Sequence, residues 1–182
     1  MCASVLFSPT KAFEDAFHNE DIKGAFGIVL ISGILMALAS FFISANIYTS
    51  IYFVLLNFAE WLLFSGFVWF FEFVHVRKKK RLIGISYAQC LSVVGKLWAI
   101  NLVGALVFAL TALFGPMVSS GLLMFLGVLF ILFSIILTVA WLVGSYKLLK
   151  VVLGVTGSKL ALNWIILTIL YGLTLGIILS LL

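Results

Sequence analysis

Charge is scarce in this chain: six Asp and Glu and eleven Lys and Arg make up 9% of 182 residues, where an ordinary soluble domain carries about a quarter. The shortage excludes a soluble globular domain, because 65% hydrophobic residues and a mean hydropathy of +1.33 leave more apolar surface than a chain of this length can hide from water. Cysteine is nearly missing too. Cys2 and Cys90 are far apart, one near the N-terminus and one inside an apolar run, so they read as two free thiols and not as a disulfide framework. No Asn-x-Ser/Thr acceptor occurs, no small-residue cleavage site marks a removable signal peptide, and no Gly-rich phosphate loop precedes a helix. Nor do Ser, His and acidic residues, or metal-ligating residues, recur at a working spacing. The sequence therefore predicts a non-enzymatic protein without metal or cofactor.

What fills the chain instead is five long apolar runs, at about 24–45, 51–74, 84–114, 118–146 and 160–182. Each exceeds the roughly 20 residues that a helix needs to cross about 30 Å of hydrocarbon. Strict two-residue alternation is missing and the runs are too long for barrel strands. The predicted fold class is all-α: a polytopic membrane protein whose single domain, residues 24–182, is a bundle of five transmembrane helices. "ANIYTS", the Gly115-Pro116 dipeptide and "GVTGSK" supply turn chemistry between runs.

Residues 1–23 form a segment of their own. In "FSPTKAFEDAFHNEDIKG", Ser8 suits a cap and Pro9 the first helical position, while Phe13, Ala16 and Phe17 recur at helical spacing. A short amphipathic helix is predicted along the inner interface, packed on the protein's own bundle, with Glu20 and Asp21 turned to the basic loop and His18 solvated.

The basic residues are placed asymmetrically. Lys11 and Lys23 precede the first run, Arg77, Lys78, Lys79, Lys80 and Arg81 crowd the second break, and Lys147, Lys150 and Lys159 flank the fourth. That is ten of the eleven, with none in the first and third breaks or at the C-terminal end. By the positive-inside bias the N-terminus is cytoplasmic and the C-terminus lies on the opposite side. The cluster pins topology first. It also suits anionic lipid head groups or a protein partner, while a loop this short does not suit nucleic acid.

Within the runs, Lys96 and Glu60 both fall near the midplane when depth is counted from the ends of their runs at about 1.5 Å per residue. A lone charge there costs about 2.5–3.5 kcal/mol, so the two are expected to pair. Gln89, Ser92 and Lys96 follow one helix stripe, and Asn57 lies one turn before Glu60, which predicts a polar face between the second and third helices. Glu72, beside His75, is expected to form an interfacial ion pair. Gly172 with Gly176, and Gly95 with Ala99, mark close helix packing, within one chain or in a homo-oligomer. Tyr48 and Tyr52 at one end, and Tyr87, Trp141, Tyr146 and Trp164 at the other, read as interfacial belts.

"SPTKAFED" before the first run, "ISYAQCLSVVG" opening the third and "WLVGSYKLLKVVLGVTGSKLAL" bridging the fourth and fifth resemble the Yip1 family of five-span membrane proteins. Lys96, following Gly95, departs from the small residue and proline found there in many members. The resemblance implies an adaptor in membrane traffic. The Rab-type docking of eukaryotic members uses a long N-terminal region, and about two dozen residues stand here, so the resemblance points to the prokaryotic branch and a cytoplasmic membrane. Two functions are thus expected. One is a scaffold engaging lipids or a protein partner through the basic face; the other is a small permease or ion-conducting protein using Glu60 and Lys96.

Overall fold

The structure, a computed structural model, is all-helical and describes residues 8–79, 85–115 and 120–181. Its helices are α1 (Pro9–Asn19), α2 (Ile22–Ser44), α3 (Ile47–Lys79), α4 (Tyr87–Phe114), α5 (Ser120–Leu153) and α6 (Ser158–Leu181). The last five are each long and apolar enough to cross a membrane. This is an integral membrane protein, and its five spans fall where the apolar runs do.

The boundaries differ where local chemistry outweighs hydropathy. α3 begins four residues before its apolar run, because the Asn46 Oδ1 accepts the Tyr48 N–H at 2.9 Å and caps the helix. It also continues as helix to Lys79, into the basic cluster. The side chains of Arg77, Lys78 and Lys79, all of Lys80 and Arg81, and Cys2 lie outside the described residues. α5 runs on to Leu153, so Lys147 and Lys150 sit on a helix and not in a loop. The extension has a packing cause: Leu148, Leu149, Val152 and Leu153 are all buried in the core. Gly154 and Gly157, at φ 58° and 66°, then turn the chain into α6.

Ala45 makes the tighter turn between α2 and α3. It adopts φ 51°, ψ 24°, and donates its N–H to the Phe41 carbonyl at 2.8 Å. A Cβ in this left-handed conformation is strained. Ala45→Gly is therefore expected to stabilise the protein by about 0.5–1 kcal/mol, net of glycine's greater chain entropy, read as a raised midpoint in detergent thermal unfolding.

α4 is the central helix, in contact with α1, α2, α3 and α5. It packs closest on α2, where a Cβ on Gly95 would run into the Cβ of Ala25, and Ala99 is buried beside this contact. The predicted small-residue seam in this helix is thus real, and its partner is within the chain. The other one is not used that way. Gly172 and Gly176 are exposed on α6, and a Cβ added at either meets nothing within 4 Å. α1 lies across the bundle with Ala12, Phe13 and Ala16 buried and Phe17 packed beside them, in contact with α4 and α5. Its apolar stripe is consumed by its own bundle. Pro9 opens α1 as expected, whereas the Ser8 hydroxyl forms no capping bond.

Candidate functional site

The polar stripe of α4 is built as the spacing predicts, but it faces a different neighbour. Gln89 completes a capping box with Ser86 and reaches toward the Phe17 carbonyl at 3.5 Å. The Ser92 hydroxyl donates to the Ala16 carbonyl at 3.2 Å. Lys96 donates to the Asp21 Oδ2 at 2.6 Å. The stripe therefore binds the end of α1 and the start of α2, where the first-run helix meets the N-terminal segment.

The expected Glu60–Lys96 pair does not form. Depth is not what separates them, since Gly95 packs on Ala25 and the Phe58 ring on its neighbour Phe26; the two side chains face different sides, Lys96 toward the α1–α2 junction and Glu60 into a cavity between the spans. Gly95 packs against Ala25, in the first turn of α2, so α4 starts about one and a half turns earlier than α2 along the same direction. Lys96 consequently stands beside the mouth of α2, and although it is 6% exposed its ammonium reaches Asp21. Asp21 serves two ends at once: Oδ1 accepts the Gly24 N–H at 2.9 Å and caps α2, while Oδ2 holds the lysine. The Lys96 hydrogen bond, followed by that of Gly24, holds the Asp21 carboxyl below its usual range against an opposing desolvation. Glu20, beside it, is exposed and left-handed at φ 43°.

Asn57 joins three helices. Its Nδ2 donates to the Val29 carbonyl at 2.7 Å, and its Oδ1 accepts the Trp98 Nε1–H at 3.1 Å. Both partners are buried, so Asn57→Leu leaves the indole N–H without a partner and the Val29 carbonyl with its helix bond alone. The expected cost is about 2–3 kcal/mol, measured by chemical unfolding in detergent, with Asn57→Asp as the variant that keeps the indole bond.

One turn away, Glu60 faces a cavity of about 530 Å³ near the middle of the Ile47–His75 span. All five spans line it. Ser32 and Asn101 contribute from α2 and α4, Thr138 and Trp141 from α5, and Tyr171 from α6. Among the described lining residues Glu60 alone carries an acidic carboxyl group and none is Lys, Arg or His, and Glu60 makes neither a hydrogen bond nor an ion pair with any described residue. Tyr171 is within electrostatic reach of it. No family model matches the chain, and no curated protein or solved structure does either. The cavity must be read from its own chemistry.

Trp141 was expected at the interface and is instead a cavity wall. It lies a little over three turns from Leu153, stacked on Tyr171 with ring centroids 6.2 Å apart. Phe64 abuts both rings, at 5.3 Å from Trp141 and 5.1 Å from Tyr171. Trp164 and Tyr146 pack edge to face, and Trp164 donates to the Ser145 hydroxyl at 2.9 Å. Tyr48 is fully in the open, 80% exposed. Glu72 is buried, and His75 meets Asn163 at 3.2 Å. Sequence spacing showed only the Asn57–Glu60 edge of the cavity, because the remaining walls come from four other helices.

Proposed function

We propose that the protein is a non-enzymatic, permease-type membrane protein whose working site is the mid-bundle cavity, with Glu60 as the group that engages the solute. The observation that carries this is a carboxylate within a span, beside about 530 Å³ of open volume, with no described residue neutralising it. Ionisable groups inside spans are costly and mark solute or proton pathways when a purely structural partner is missing. Lys96 drops out of the mechanism, since Asp21 occupies it. Proteoliposome flux over a panel of small polar and charged solutes tests the reading. At least one solute is expected to cross in a manner that Glu60→Gln reduces by tenfold or more while Lys96→Met leaves it unchanged. A panel that crosses wild type and Glu60→Gln at equal rates overturns it.

A second reading keeps the Yip1-type adaptor role in a cytoplasmic membrane, with a cytoplasmic N-terminus. Its support is that Lys11, Lys23, Lys150 and Lys159 are exposed around the end of the bundle where α1 lies, a face suited to anionic lipid. Against it, α1 has no apolar stripe left to offer a partner. Quantitative mass spectrometry of gently extracted, tagged protein separates the two: a partner at near one-to-one abundance favours the adaptor.

A further inference from the structure

The cavity combines one carboxylate with an unusual density of aromatic wall. Phe108 of α4, Phe130 and Trp141 of α5 and Tyr171 of α6 all line it, and Glu60 enters from α3. Phe108 and Phe130 lie 6.0 Å apart, and the Trp141–Tyr171 stack is backed by Phe64. No Lys or Arg is among the described lining residues. The site therefore favours positive charge twice over, through the carboxylate and through the negative faces of the rings.

The kind of cation follows from what is missing. A compact metal ion needs several oxygen ligands to replace its water, and the described residues contain no cluster of three acidic, His or Cys side chains that would hold one. Asn57 Oδ1, the nearest amide oxygen to Glu60 along α3, is already taken by Trp98. An organic ammonium, by contrast, is weakly hydrated, spreads its charge over methyl or methylene groups, and gains from aromatic faces. A volume near 530 Å³ is within the range of pockets that take small organic ligands.

We infer that the cavity is a site for a small organic cation, an alkylated or aromatic-substituted ammonium, held by Glu60 and the Trp141–Tyr171 wall. This rests on the permease-type reading of the same cavity and names its ligand class. Ser32, Asn101 and Thr138 remain to bond a polar substituent of such a ligand.

Calorimetric titration of the full-length protein in detergent, at mildly alkaline pH, tests it with three probes of similar size. These are benzyltrimethylammonium, its neutral carbon isostere neopentylbenzene, and benzenesulfonate. The cation is expected to bind once per chain and at least tenfold more tightly than the other two. Glu60→Gln is expected to erase that preference and Glu60→Asp to keep part of it, with each variant's unfolding midpoint measured alongside. If neopentylbenzene or benzenesulfonate binds wild type as tightly as the cation, or the preference survives Glu60→Gln, the cation assignment is overturned while cavity binding stands. Heat from none of the three overturns both. The wild-type comparison holds even if a variant fails to fold.

Discussion

Asp21→Ala is expected to lower stability by about 4 kcal/mol, and Lys96→Met by less than half as much. Breaking a buried charge pair costs about 3–5 kcal/mol when the survivor is left without a partner, and here the two survivors differ. Without Asp21, the ammonium of Lys96 stays on a residue that is 6% exposed, and the Gly24 N–H at the start of α2 loses its cap as well, worth about 1 kcal/mol more. Asp21 is partly open to solvent, which sets the sum toward the lower end. Without Lys96, the carboxylate keeps its cap and its access to water, and methionine still fills the space of the stem. Denaturant titration of the two single variants and the double variant gives the coupling. Equal losses from the two singles would show that the ion pair does not carry the junction.

The same pair sets an acid limit. The Asp21 carboxyl titrates below its ordinary value near 3.8 in the folded protein, because Lys96 and the Gly24 N–H favour its charged form. A depressed carboxylate contributes stability that is fully present above the unfolded value and is lost as pH falls through the folded one. Wild type is therefore expected to lose its margin over Asp21→Asn as pH drops below about 4, and to hold it unchanged at neutral pH. A margin that is constant down to strong acid would count against the pairing.

Gly95→Leu is expected to separate α2 from α4 and leave no folded protein to extract. Even the smaller Gly95→Ala forces one Cβ into another, since Ala25 Cβ and Cα stand where the new methyl would go, and neither belongs to a flexible side chain that can swing away. Overpacking of this kind costs about 1–3 kcal/mol, and the upper end applies because the collision involves backbone. The check is rescue: Ala25→Gly in the Gly95→Ala background removes the Cβ collision but not the one with the Cα, and should restore part of the lost stability, measured as the detergent unfolding midpoint. If Ala25→Gly does not rescue, the close approach at this crossing is not what limits the packing.

The architecture was legible because hydropathy alone decides it. Five runs longer than a bilayer's thickness have few alternatives, and "GVTGSK" marked its turn because Gly154 and Gly157 both take positive φ. The amphipathic α1 was legible for the same reason: Phe13, Ala16 and Phe17 sit on one face, and the structure buries that face. Which neighbour each polar stripe faces was not legible. Lys96 turns to Asp21 at the α1–α2 junction and Glu60 to the cavity, a difference of helix rotation that spacing along one chain does not display. Trp141 seemed interfacial because it precedes Tyr146 and Lys147, whereas the true end of α5 lies beyond them, fixed by the burial of Leu148, Leu149, Val152 and Leu153. Glu60 was correctly singled out as an intramembrane charge. Its surroundings were missed, since the rings that line its cavity come from Phe108, Phe130, Trp141 and Tyr171, on three other helices far along the chain.

The Asp21–Lys96 contact also has a bearing on how the chain is made. Its two residues are 75 apart, and a ribosome adding about 5–20 residues per second leaves roughly 4–15 s between their syntheses. Through that interval α2 and α3 exist without the helix that both pack upon, with the groove around Ala25 open and the carboxylate at the start of α2 lacking its counter-charge. Neither span reaches its final seat when it emerges. The third span, and not the first, therefore brings the counter-charge of Asp21 and the packing surface of Ala25.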